Sequence, residues 1–214
     1  MATLQSTAAR VAPGRRLEGS LTGPAQRPRA YVVGLAALAA VGGFIFLLTS
    51  PTQALLGESA WALNSALHGL GAGVLMIGVT VGLFQAYRLY RGDSISIGEM
   101  QIGSLFTAAA SLVTIFYGNW IYIAYRASAP TSPRSYFLEN MPQVHQVFFE
   151  FKEFLALYTL PLAVGAAFMI WYYGDQLRTR PAIRNAVAVT LVLAFFYFAV
   201  AFGLGAAVTK LRAV

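Results

Sequence analysis

The chain has 214 residues, of which 57% are apolar and only 11% charged, with a formal net charge of +7. A water-soluble domain carries about a quarter charged residues, so this composition excludes an ordinary cytosolic domain. The sequence has no cysteine, which rules out disulfides, thiolate-held metals, cysteine-ligated clusters and covalent c-type haem attachment within it.

Residues 1–30 are basic, rich in Ser, Gly and Pro, and poor in large apolar side chains. Such a segment buries too little surface to fold alone and is expected to be a disordered cytoplasmic tail. Its arginines, like those of the short loops further on, are placed as membrane orientation requires, so nucleic acid is not an expected partner. The run "YVVGLAALAAVGGFIFLLTS", residues 31–50, is longer than the apolar region of a secretion signal and is read as a retained helix.

Four further apolar runs follow, at 62–87, 102–125, 150–173 and 185–209. Glu58 is the only charged residue between Tyr31 and Tyr87, and the segments Ile102–Tyr125, Phe154–Gly174 and Asn185–Thr209 contain none. About 20 residues at 1.5 Å rise cross the hydrocarbon of a bilayer, so each run is long enough to span it. The expected fold is an all-α integral membrane protein: a polytopic bundle of about five transmembrane helices over 31–209, with a short tail at 210–214.

The loops between these runs set the expected orientation. Arg10, Arg15, Arg16, Arg27, Arg29, Arg88, Arg91, Arg178, Arg180 and Arg184 fall on one side, ten of the 15 basic residues, and Arg126, Arg134, Lys152, Lys210 and Arg212 on the other. That bias predicts a cytoplasmic N-terminus in a multi-pass protein of the cell inner membrane. Gly69 and Gly73, at GxxxG spacing, are expected to allow close helix packing within the bundle or against other membrane subunits. Ser94 or Ser96 is expected to start a helix with Glu99 in its first turn, and Asn140 to cap one that has Pro142 in its first turn. Pro161 is a predicted kink. The loop "RASAPTSPRSYFLENMPQ", rich in Pro and Ser, reads as an ordered crossover able to dock a peripheral domain.

Candidate site residues follow from depth. His68 lies 20 residues before Arg88, about 30 Å away along a helix, which places it near the outer hydrocarbon boundary. Glu150 and Glu153 lie 21 and 18 residues before Trp171, at nearly the same level. Asn119 falls near the outer end of its run. In a regular helix His145 is rotated about 140° from Glu150, so His145, Glu150 and Glu153 are not expected to form one compact triad.

Three ligands suit this set. A quinone or quinol needs polar groups for its ring oxygens and apolar walls for its ring and tail: His68, Asn119, Tyr122, His145, Glu150 and Tyr158 are the candidate polar contacts, with Phe148, Phe149, Phe151 and Phe154 as walls. Glu150 and Glu153 are the candidate proton carriers. A haem b would use His68 and His145, or one of them with a partner chain. A nonhaem metal would use His68, Glu150 and Glu153. The expected function is an integral-membrane subunit of a respiratory or electron-transfer complex, with quinone the first cofactor. Its expected partners are other membrane subunits, lipids and a peripheral redox protein at the outer face. The alternatives are a purely structural membrane anchor and a haem or metal protein.

Overall fold

The computed structural model describes residues 60–211, together with Val32, Leu35, Ala36, Ala39, Gly42 and Gly43, which are helical. The predicted tail and most of the predicted first span lie outside the described residues. Within them the chain is all-α: α1 (Ala60–Arg91), α2 (Ile97–Tyr125), α3 (Pro133–Asn140), a π-helical turn (Val144–Phe149) continuing into α4 (Glu150–Tyr173), α5 (Gln176–Thr179) and α6 (Pro181–Leu211). Four of the described helices are long and apolar enough to cross a membrane: α1, α2, α4 with its π turn, and α6. They contain the four later runs read from the sequence and extend each by a few residues.

Local chemistry explains the boundaries. Ser96 caps α2, its hydroxyl accepting from the Glu99 amide at 3.3 Å. Ser132 caps α3 ahead of Pro133, whose missing amide hydrogen costs nothing in the first turn. Gly92 and Gly174, with φ of +75° and +47°, reverse the chain after α1 and α4, where a side chain would be strained. Asn140 does not cap the helix that follows it. It is the last residue of α3 and donates through its amide to the Tyr136 carbonyl, while Pro142 opens the next helix as expected.

The four long helices form a ring in which α1 touches α2 and α6, and α4 touches α2 and α6. Short connections make sequential neighbours antiparallel. One end of the ring, the arginine end, carries Arg88, Arg178 and Arg184; the other, the cap end, carries α3. The exterior is apolar, with Ile77 67%, Phe84 62% and Phe168 64% exposed. Gln101, Ser104, Thr107, Ser111, Thr114 and Thr159 are buried inside. An apolar outside around a partly polar inside is the reverse of a soluble bundle and suits hydrocarbon as solvent. This is a multi-pass membrane protein.

Close packing of α1 on α2 rests on different glycines from those predicted. A Cβ at Gly69 or Gly73 would meet nothing within 4 Å among the described residues, whereas one at Gly78 would sit 2.8 Å from Thr107 Oγ1 and one at Gly71 3.1 Å from Thr114 Oγ1. Both hydroxyls donate back to carbonyls of their own helix, Thr107 to Gly103 and Thr114 to Ala110, each at 2.8 Å. The glycines therefore face satisfied hydroxyls across a backbone-close contact.

Candidate functional site

Near the cap end the ring of helices opens into a cavity of about 380 Å³, walled by α1, α2, α4 and α6, the first turn of α3 and the π turn. The volume lies within the range of small-molecule sites. Its walls are mainly apolar, including Leu75, Ile115, Phe149 and Phe202, and its polar side chains include His68, Tyr122, Lys152 and Glu153.

His68 projects from α1, and its Nδ1 lies 3.0 Å from the Thr114 carbonyl oxygen of α2. A carbonyl only accepts, so Nδ1 carries the hydrogen. The ring fits there because position 118 is glycine: a Cβ would come within 3.0 Å of His68 Cε1. Nε2 has no hydrogen-bond partner among the described residues.

Lys152 projects from α4 toward α6, where Gly205 leaves room for its stem. Its ammonium lies 5.1 Å from the centroid of the Phe149 ring. Among the described residues it makes no ion pair within 4.0 Å and no hydrogen bond, so a partly buried cation is left with a ring face and the field of neighbouring Glu153. Glu153 faces the Tyr122 hydroxyl. Tyr122, Tyr125 and Phe149 stack nearly parallel, Tyr125 and Phe149 with centroids 4.1 Å apart, and close the cavity toward the cap.

Outside this stack lies a second polar group. The Arg126 guanidinium donates to Glu150 Oε1 at 2.6 Å, and its carbon lies 4.9 Å above the Tyr122 ring. The Glu150 carboxylate raises the pKa of Arg126 above the usual guanidinium value. His145 is buried, with Nδ1 3.0 Å from the Tyr125 hydroxyl and Nε2 accepting from Arg134 at 3.2 Å. Its Nε2 also stands 3.6 Å from Glu150 Oε1.

The predicted residues thus divide into three groups. His68, Tyr122 and Glu153 meet at the cavity. His145 and Glu150 meet each other at the cap, a pairing that a regular helix forbids. The π turn supplies it, since the Glu150 amide donates to the His145 carbonyl five residues back and the two positions come onto one face. Asn119 and Tyr158 are exposed and do not line the cavity, Tyr158 packing instead on Phe154 and Tyr197. Of the predicted aromatic wall only Phe149 faces inward; Phe148, Phe151 and Phe154 are exposed.

The same geometry bears on the other ligands considered. His68, Glu150 and Glu153 do not converge, and no group of three His, Asp or Glu able to hold a metal ion occurs among the described residues. Both ring nitrogens of His145 are engaged, whereas His68 keeps one open.

Sequence reasoning missed Lys152, which it placed in water. The signal was present in the spacing: Leu155, Thr159, Ala163, Ala166 and Ile170 form the buried face of α4, and one step of three back from Leu155 reaches Lys152. The fold and cavity together define a polytopic helical membrane protein with an amphipathic cavity inside its bundle. No protein-family model, curated protein or solved structure matches the chain.

Proposed function

We propose that this chain is an integral-membrane subunit of an electron-transfer assembly and that its cavity holds a quinone-class ring. The observation that carries this reading is the meeting of His68, Lys152 and Glu153 on one wall system that is otherwise apolar and aromatic. A ring with polar oxygens and a hydrocarbon tail needs that combination. Lys152 donates to a ring oxygen, and a ring hydroxyl lies against His68 and Glu153. A proton released from the ring passes to the Glu153 carboxylate, beside Tyr122, and from there toward Glu150 and Arg126 at the cap, where water begins. Electrons pass to a redox group on a partner chain.

The arrangement in the membrane belongs to the same proposal. Five spans, with the apolar run at 31–50 as the first, put the basic tail and the arginine end in the cytoplasm of a cell whose inner membrane holds the protein. The cap end then faces outward, toward a peripheral redox partner.

Photolabelling tests the reading. A short-tailed photoreactive hydroquinone, irradiated with the full chain in mild detergent, is expected to attach to peptides of α1, α4 and α6 around the cavity and to be lost in Lys152→Met. Labelling confined to the exposed apolar faces, in a chain that still assembles with its partners, would leave the protein a structural anchor.

A further inference from the structure

The cavity carries information about which redox form of the ring it takes, an inference that rests on the quinone-class reading. The Thr114 carbonyl fixes the single proton of the His68 imidazole on Nδ1, because a carbonyl oxygen cannot donate. Nε2 is therefore a lone-pair acceptor on the cavity wall, and the glycine at 118 leaves the room the imidazole needs in that pose. The wall then offers one acceptor nitrogen, His68 Nε2, one carboxylate, Glu153, and one donor-only ammonium, Lys152; of its hydroxyls, Thr114 and Thr209 donate to carbonyls of their own helices, Tyr122 faces Glu153, Tyr125 is bonded to His145, and Ser65 can donate or accept.

A dicarbonyl ring offers acceptors alone. It satisfies Lys152 and leaves Nε2 facing a carbonyl lone pair. A dihydroxy ring donates one hydroxyl hydrogen to Nε2 and accepts from Lys152 on a ring oxygen, so the imidazole and the ammonium both find their complement, while Glu153 keeps the Tyr122 hydroxyl as its donor. An enclosed acceptor left without a donor loses its hydrogen bond at full desolvation cost. We propose that the cavity selects the quinol over the quinone, and that His68, held in one tautomer by the Thr114 carbonyl, is the residue that makes the selection.

Anaerobic competition against the photoreactive hydroquinone tests this. A short-tailed benzoquinone and its dihydroxy form are titrated separately on the full wild-type chain and on two variants. On wild type the dihydroxy form is expected to compete on the order of tenfold more strongly, the ratio one enclosed hydrogen bond supports. In His68→Phe the ratio falls to near one. In His68→Gln, whose amide hydrogen replaces the Nδ1 donor while its oxygen remains an acceptor, a preference for the dihydroxy form is retained. Equal competition on wild type, or a ratio that survives in His68→Phe, overturns the selection while leaving a ring site in place. If neither form competes on wild type, the quinone-class reading fails and the selection falls with it.

Discussion

The two ends of the bundle are built from the same four helices and solve opposite problems. At the arginine end Met100, Ile170 and Leu177 are fully buried in a continuous apolar cluster with Leu89, Val187 and Leu191. Several of its polar side chains reach for backbone: Arg178 donates to the Ile95 carbonyl, Arg88 to that of Ser94, and Trp171 to that of Gln101, while Gln101 Nε2 and Arg184 Nε are buried with no hydrogen-bond partner among the described residues. At the cap end the core is a stack of rings around a cavity, and the polar side chains are bonded to one another, Arg126 to Glu150 and Arg134 to the neutral His145 ring. Backbone carbonyls hold fixed positions wherever the helices stand, so the three bonds at the first end need no second side chain to be ordered. Side-chain pairs hold only while both partners stay ordered, and among the described residues the partly buried ammonium of Lys152 lacks even that. On the proposed function, the difference separates duties, with stability expected to reside at the arginine end and ligand recognition at the cap end.

The sharpest way to break this division is at the closed end. Ile170→Ala removes a fully buried side chain and is expected to cost about 2–5 kcal/mol, read as a lower thermal midpoint in detergent, with ring binding unchanged. A matching loss of affinity would show the two ends to be one unit. Gly118→Val tests the open end. Its added methyls meet the His68 ring, where a Cβ alone already falls within 3.0 Å, so the Thr114 bond breaks. The expected cost is about 1–3 kcal/mol with loss of photolabelling at the cavity. Retained labelling would contradict the role given to the imidazole. The smallest effect belongs to Glu150→Gln. Its bond to Arg126 is between exposed groups, and the variant is expected to melt as wild type does in high salt, with a loss visible only at low ionic strength.

The contrast also marks what the sequence discloses. Charge-free runs and the arginines that end them state the spans directly, because hydrocarbon excludes unpaired charge over a fixed length. Ser96 announced the start of α2 through ordinary capping chemistry, and the depth of His68 and Glu153, counted from Arg88 and Trp171, brought both to one cavity. The pairing of His145 with Glu150 was hidden, since six residues of π-helix between regular segments carry no periodicity of their own. Asn119 and Tyr158 were misplaced because depth gives height along a helix and leaves rotation about it undetermined. Lys152 was misread for the reason that makes it informative: a cation at the end of an apolar run ordinarily belongs to water. Gly69 and Gly73 matched a packing motif, while Gly71 and Gly78 make the contact, because the helix face that touches a neighbour is chosen by tertiary packing.

The most direct measurement is a paired one on Lys152→Met. On the proposed function, a partly buried ammonium with no ion pair or hydrogen bond among the described residues is a cost the chain bears for its ligand, so replacing it with an apolar side chain of similar length is expected to raise the stability of the ligand-free chain by about 1–3 kcal/mol. The same change is expected to weaken hydroquinone binding on the order of tenfold or more, because the donor to the ring oxygen is gone. A variant that is less stable than wild type, or that binds the ring equally well, would contradict the account.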